Sequence, residues 1–484
     1  MHNEKIYTPN KVVNLMLDEV GFTTIENIKY KHIIDNSCGN GNFIVEIVKR
    51  IVSVIHNVDK TYLETYVHGI DIDKSAIVKC KQRLDEYCLN TIGLIGINWD
   101  IKVSNALTDD RFMYQMDYVV GNPPYCKVHH MDKETYNLLK TELFFCSDSM
   151  TDLYIAFFES GLTMLSENGK LCYITPNSWL CSKAAKLFRK YLVETKKLEK
   201  IIDFKTDKVF TNATTFTNIT IIDNDKMNKS SNVYYYNGSL NDYMLSKTKM
   251  FNNIEQAYIN EQFYFSENND IIKSIIEYNI MDKEQQFVVK NGLATLNDKL
   301  FIIEYEDLDE QSEYYVNLYN VSIIDCIKAS NGKSKYIIYP YDEEGKPLKY
   351  EDIRILTRNI LEERAKKLEI DTTNNEWYLY GRYQAIKDVS RFKYSINNII
   401  RDYNDIKLCE APKNVAVYSG FYVIKNGIEQ TDDANKKVGK LIKDAVETKQ
   451  FNDYIKAIGK SKNGGYYSYT TKDLEKYLNY FYQI

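Results

Sequence analysis

Short apolar runs rich in β-branched and aromatic residues punctuate the first half of the chain, separated by longer stretches whose apolar positions recur every three or four residues. The runs at 30–35, 66–71, 97–103, 117–121, 170–174, 200–204 and 216–222 predict strands. The stretches 42–55, 74–88 and 153–165 predict helices. In the last of these, Leu153, Ile155, Phe157, Phe158, Leu162 and Leu165 share mostly helical spacings, leaving Glu159 and Thr163 outward. Strands separated by helices of this length predict an α/β fold with a doubly wound, mostly parallel sheet. Ligands then belong at the carboxyl ends of the central strands. The polar segment 224–231 ends the alternation and reads as a linker. Irregular strands, aromatic-rich loops and helical stretches near 350–367 and 433–458 follow, so a separate mixed α+β domain is expected. The expected division is 1–235 and 236–484.

Composition narrows this picture only in places. With 44% hydrophobic and 27% charged residues, the chain is globular rather than disordered. The nine cysteines are scattered and contain no C-x-x-C pair, which argues against a disulfide framework or zinc module and for a reducing cytoplasm. No metal site is expected. No apolar run approaches the roughly 20 residues that span a bilayer, and the N-terminus lacks a basic-then-apolar leader. A cytoplasmic, nucleoid-associated protein without membrane contact is the expectation. The net charge of −5 leaves nucleic-acid binding to local concentrations of Lys and Arg. The 41 tyrosines accompany abundant Lys, Asn and Ile, all with AT-rich codons, so they say little about stacking platforms.

Three segments carry candidate chemistry. The run 31–35 passes into Asn36-Ser37-Cys38-Gly39-Asn40-Gly41-Asn42-Phe43 and then a helix. Such a turn lets a ligand approach the backbone, although this G-x-G fragment is too short for a dinucleotide fingerprint and most such turns serve packing. The run 66–71 ends in Gly69-Ile70-Asp71-Ile72-Asp73. A carboxylate there can accept both hydroxyl protons of a ribose, with a helix N-cap as the competing role. Asp73, before Lys74, suits the cap, which leaves Asp71 for the ribose. The third segment is the most specific. Asp117–Gly121 leads directly into Asn122-Pro123-Pro124-Tyr125. Two prolines fix the turn and remove two donors. The Asn122 side-chain oxygen and the Pro123 carbonyl remain as acceptors, and Tyr125 adds a flat face. A planar exocyclic amine needs this equipment: two acceptors for its hydrogens and a surface for its ring.

Residues 5–223 resemble S-adenosylmethionine-dependent amino-methyltransferases with a Rossmann-like sheet. The motif order resembles the gamma class of bacterial DNA adenine-N6 methyltransferases, modification enzymes of restriction systems. The resemblance implies that Tyr7, Thr8 and Pro9 border the methionine end of the cofactor S-adenosyl-L-methionine. Asp35, Cys38, Gly39, Gly41 and Phe43 match the glycine-rich motif. Asp71 stands where the family binds the ribose, and Ile72 joins the cofactor set. Asn105, at a position that is commonly Asp, reads the cofactor's adenine, with Ala106 beside it. Asp152-Leu153-Tyr154 and 169–177 match the following motifs. Val209-Phe210 resembles the motif whose aromatic ring stacks on a flipped base. The implied reaction is site-specific methyl transfer to N6 of a flipped-out adenine in double-stranded DNA. Segments 290–301 and 377–382 resemble parts of target-recognition domains, so 236–484 is expected to read DNA. No nuclease domain is expected ahead of residue 5, and a cognate restriction endonuclease is an optional second partner.

The chemistry asks little else of the chain. The adenine amine is conjugated and weakly nucleophilic; hydrogen bonds to Asn122 and Pro123 would localise its lone pair for in-line transfer. No cysteine nucleophile is required, so Cys126 reads as incidental. The target nucleotide must leave the stack, and Tyr125 and Phe210 are candidates for its two faces. Lys127, His129 and His130, in the loop 126–140, could touch phosphates, fill the vacated space or simply be solvated. The basic run 183–200 reads as a solvated helix face before a phosphate-facing one. A methyltransferase acting on a protein glutamine or an RNA base amine is the alternative function. A catalytically silent DNA-binding protein is a further one.

Overall fold

The computed structural model describes residues 8–126, 131–148, 151–205, 207, 209–210, 215–225, 230–246, 251–266, 268–279, 285–307, 322–427 and 431–482. Tyr7, Lys127, His129 and His130 lie outside the described residues. The chain divides into two compact units, Met1–Asp270 and Ile271–Ile484.

A nine-stranded sheet organises the first unit. Its strands are β1 (Ile33–Asp35), β2 (Val67–Asp71), β3 (Asp100–Val103), β4 (Met116–Gly121), β5 (Leu165–Pro176), β6 (Leu198–Asp203), β7 (Thr217–Asp223), β8 (Asn232–Asn237) and β9 (Phe251–Asn253). They lie in the order β3-β2-β1-β4-β5-β7-β6-β8-β9. Strands β1 to β5 pair in parallel, whereas β7 runs antiparallel to both β5 and β6. Every strand expected up to residue 223 is present. From β1 the chain builds outward through β2 and β3, then returns to place β4 on the other side of β1. The carboxyl ends of β1 and β4 therefore flank the switch point at which sheets of this kind hold ligands.

Helices cover both faces, each for a local reason. α1 (Asn10–Glu19) starts after Pro9. α2 (Asn42–Val54) leaves the glycine turn through Gly41 and buries Phe43, Ile44, Ile47, Val48 and Ile51. α3 (Lys74–Ile92) is capped by Asp73, whose side chain accepts from the Ser75 and Ala76 amides, and it ends at the left-handed Gly93. α4 (Leu153–Met164) is apolar almost all round and buries Ile155, Phe157 and Phe158. The Phe158 ring stacks on Phe188 at 4.4 Å, and full burial of such a side chain contributes about 2–3 kcal/mol.

The boundary expected at 235 is corrected to Asp270. A cut at 235 falls inside β8, which pairs in parallel with β6 and buries Tyr234, Tyr235 and Tyr236. Tyr235 also stacks on Phe265 at 4.6 Å. The polar segment 224–231 thus joins two strands of one sheet.

The second unit is mixed α and β, as expected. Phe287–Asn291, Phe421–Lys425, Lys393–Ile396 and Leu408–Ala411 form, in that order, an antiparallel sheet. A second sheet orders Ile302–Ile303, Lys333–Ile338, Ile323–Lys328 and Ala416–Tyr418, the last pair being parallel. The long helical stretch near 433–458 is two helices, Asp432–Val446 and Lys449–Ile458, because Thr448 caps the second. The segments 290–301 and 377–382 meet: Ala294 bridges Arg382, and the Gly381 amide donates to the Thr295 carbonyl at 3.1 Å.

Candidate active site

Three strand ends supply the site. At the end of β1, Asp35 is buried and its carboxylate accepts from the Ser37 amide at 3.0 Å. Burial pushes its carboxyl up to about 8, against the lowering effect of that amide and with the Asp71 charge adding to the rise. Gly121, at the end of β4, permits this neighbour, since a Cβ there would stand 2.7 Å from Asp35 Oδ1. The turn that follows β1 is anchored to β2 twice. The Cys38 amide donates to the Ile70 carbonyl at 2.9 Å, and the Gly39 amide to Asp71 Oδ2 at 2.8 Å. Asp71 Oδ1 accepts from the Asp73 amide, also at 2.8 Å. Gly41 closes the turn at φ +83, where a Cβ would stand 2.4 Å from Cys80 Sγ. Here glycine is demanded both by conformation and by space.

The third strand end carries the acceptor. Asn122 Nδ2 donates to Thr8 Oγ1 at 3.1 Å, while Asn122 Oδ1 is buried and accepts no hydrogen bond among the described residues. An unpaired buried oxygen costs about 1–3 kcal/mol unless something arrives to satisfy it. Ser37 Oγ holds the Asn122 carbonyl at 3.3 Å. Tyr125 is half-buried; its hydroxyl donates to the Ile174 carbonyl at 3.1 Å, and its ring meets Tyr154 edge-on at 6.3 Å. Burial holds its phenol well above the ordinary range, so it stays neutral.

The structure therefore brings together Thr8, Asp35, Cys38, Gly39, Gly41, Asp71 and Asn122 with Pro123 and Tyr125. Ile72 follows Asp71 with its side chain 75% exposed, an open apolar surface at the end of β2. Asn105 is exposed, and its Oδ1 is already taken by the Leu107 amide at 3.0 Å. Ala106 is buried, and its carbonyl accepts from Ser160 Oγ at 2.6 Å. Phe210 departs from expectation. It is only 4% exposed and belongs to the apolar cluster with Phe204 and Tyr236, so in this conformation it offers no open face to a base. The basic run 183–200 is largely committed: Lys186 pairs with Glu261 and Lys196 with Glu255, and the buried Arg189 donates to the Trp179, Ser182 and Glu261 carbonyls. Sequence reasoning missed Arg83, whose Nη1 donates to the Asn40 carbonyl at 2.6 Å and to Asn42 Oδ1 at 2.8 Å. No local pattern marks it, because its partners lie 41 and 43 residues away.

Comparison with known proteins agrees with this geometry. Residues 45–210 match the Eco57I restriction-modification methylase family. The resemblance read from the motifs holds at the level of restriction-modification methyltransferases. The chain is 26% identical to the type II restriction enzyme and methyltransferase RM.Eco57I of Escherichia coli, over 81% of this chain and 50% of that protein. It is 24% identical to the type II methyltransferase M.BstVI of Geobacillus stearothermophilus, over 72% of this chain and 68% of the relative. The chain thus spans half the length of the first relative and about two-thirds of the second. Among solved structures, the type IIL restriction-modification enzyme MmeI superposes with a TM-score of 0.53 at 12% identity, covering 95% of this chain and 63% of that one. That likeness supports the fold.

S-adenosyl-L-methionine fits the residues present. A Cβ at Gly39 would meet nothing within 4 Å, so the space over the turn is open. Asp71 spends one lone-pair site of each oxygen on a backbone amide and keeps about two for ribose hydroxyls. No helix among the described residues is long and apolar enough to cross a membrane.

Proposed function

We propose that this chain transfers the methyl group of S-adenosyl-L-methionine to N6 of an adenine turned out of double-stranded DNA. The carrying observation is the buried Asn122 Oδ1 at the end of β4, which has no partner among the described residues and lies beside the glycine turn and Tyr125. An amide oxygen without a partner, followed by a carbonyl on a proline-locked turn, offers two acceptors in fixed positions. That is the complement of an –NH2 group.

The bound cofactor would supply a methyl group on a positively charged sulfur. The chain's own residues do the rest. Asp71 and the turn Cys38–Gly41 hold the nucleoside end, and Ile72 offers the adenine ring an apolar surface. Asn122 Oδ1 and the Pro123 carbonyl accept the two amine hydrogens, drawing the nitrogen out of conjugation and aiming its lone pair. Tyr125, neutral and fixed through its hydroxyl to Ile174, gives the extruded base a stacking wall. The second unit takes the role of target recognition, and a cognate restriction endonuclease is the natural companion of such an enzyme. Incubating the protein with radiolabelled cofactor and plasmid DNA, followed by nucleoside analysis, tests this. The label should appear in N6-methyladenine. Label in cytosine, in RNA or in protein glutamine, or in nothing at all, would overturn it.

A further inference from the structure

The N-terminal motif was expected to border the methionine end of the cofactor; its threonine also touches the acceptor asparagine. Thr8 is 3% exposed, and its hydroxyl oxygen lies 3.1 Å from Asn122 Nδ2, so the amide donates and Thr8 accepts. The Thr8 carbonyl in turn accepts from Asn42 Nδ2 at 3.2 Å. Asn42 Oδ1 accepts from Arg83 Nη1 at 2.8 Å, and the same nitrogen of Arg83 holds the Asn40 carbonyl. A continuous chain of side-chain bonds therefore runs from α3, through the start of α2, to the end of β4.

We propose that Thr8 is a positioning residue that holds the Asn122 side-chain amide at a fixed rotation toward the substrate. This rests on the methyl-transfer reading above. The last side-chain torsion of an asparagine is soft, so an untethered amide spreads its oxygen over a broad range of directions. An oxygen turned out of line no longer accepts the amine hydrogen and no longer aims the nitrogen lone pair. The Thr8 hydroxyl holds the –NH2 end, and Oδ1 is left buried and without a partner among the described residues. Asn42 and Arg83 keep Thr8 in place from behind. Arg83 touches neither reacting group, so its effect passes through Thr8.

The test compares Thr8→Val, which keeps the shape and removes the acceptor, with Thr8→Ser, which keeps the hydroxyl. In the full-length protein Thr8→Val should lower kcat about 10- to 100-fold, with the cofactor Kd within about threefold of wild type. Thr8→Ser should stay within about threefold in both. A Thr8→Val enzyme that turns over like wild type overturns the proposal. So does a variant whose rate loss follows a matching loss of cofactor affinity, since Thr8 would then be a cofactor contact alone. A second readout does not depend on which substrate is methylated. The Asn122 side-chain amide signal, assigned by its disappearance in Asn122→Asp, should show slow hydrogen exchange in wild type and Thr8→Ser and fast exchange in Thr8→Val. Equal exchange in all three overturns the proposal. Absence of adenine methylation by the wild type, with the exchange difference intact, would overturn the substrate reading and leave the tethering of the amide standing.

Discussion

Removing the Asp71 carboxylate tests the cofactor cradle most directly. Its two oxygens each accept a backbone amide at 2.8 Å, one from Gly39 in the turn and one from Asp73 at the entry to α3. Asp71→Ala breaks both bonds in the free protein and in the complex, so only the ribose contacts and the cost of ordering the turn enter the binding constant. Hydrogen bonds to a charged acceptor contribute about 1.5–3 kcal/mol, which translates to a Kd weakened about 10- to 150-fold. Asp71→Asn should rescue little. Its –NH2 end must face one of the two amide N–H groups, donor against donor. Asp73→Ala is the matched control. Asp73 caps α3 through the Ser75 and Ala76 amides, so its loss should cost about 0.5–2 kcal/mol of stability and leave Kd nearly unchanged. Titration calorimetry for Kd and thermal melting for stability separate the two outcomes. An Asp71→Ala protein that binds as tightly as wild type, with an Asp73→Ala protein that does not, would refute the assignment and move the ribose to Asp73.

Three further outcomes follow from the same geometry. Asn122→Ala should abolish methylation while cofactor and DNA stay largely bound, because its oxygen acts on the amine at the transition state; a variant retaining about a tenth of wild-type turnover would remove Asn122 from that role. Asp35, raised to about 8 by burial, binds a proton in the folded state that the unfolded chain has released above about pH 4. Its contribution to stability is therefore fully present below that value and is lost as pH rises toward 8, so Asp35→Asn should flatten the fall of Tm between about pH 5 and 8; an unchanged slope would show that Asp35 is ionised. A fragment ending at residue 270 contains the whole nine-stranded sheet and should bind the cofactor, whereas one ending at 235 severs β8 and should aggregate. Gel shifts at matched salt should show that the longer fragment has lost discrimination between cognate and scrambled duplexes, and retained discrimination would place target reading in the first unit.

What the sequence made legible depends on how far apart the deciding partners lie. Strands β1, β2, β4, β5 and β7 announce themselves because each carries a run buried on both faces, whereas the edge strand β3 buries Ile101 alone; the Asn122–Tyr125 turn announces itself because its prolines act locally. β8 escaped for a chemical reason. Its buried core is Val233 and three tyrosines between Asn232 and Asn237, and a tyrosine reads as exposed until its ring finds a partner such as Phe265. The polar stretch before it then resembles a linker. Phe210 shows the converse, since a motif match records a residue type and not its packing. Nothing local says that the ring joins Phe204 and Tyr236 in the core. The bond between Thr8 and Asn122 spans 114 residues, and Arg83 reaches back across 41 to Asn42. Periodicity can place α3 and the end of β4, but the partners their side chains meet, Asn42 for Arg83 and Thr8 for Asn122, are set only once the sheet order puts β1 between β2 and β4. The groups that react are therefore readable from their own neighbourhood, whereas the groups that aim them are not. In this fold the aiming groups come from the first residues before α1 and from the outer helix α3, so substitutions far from the reacting atoms can still decide how firmly one amide is aimed.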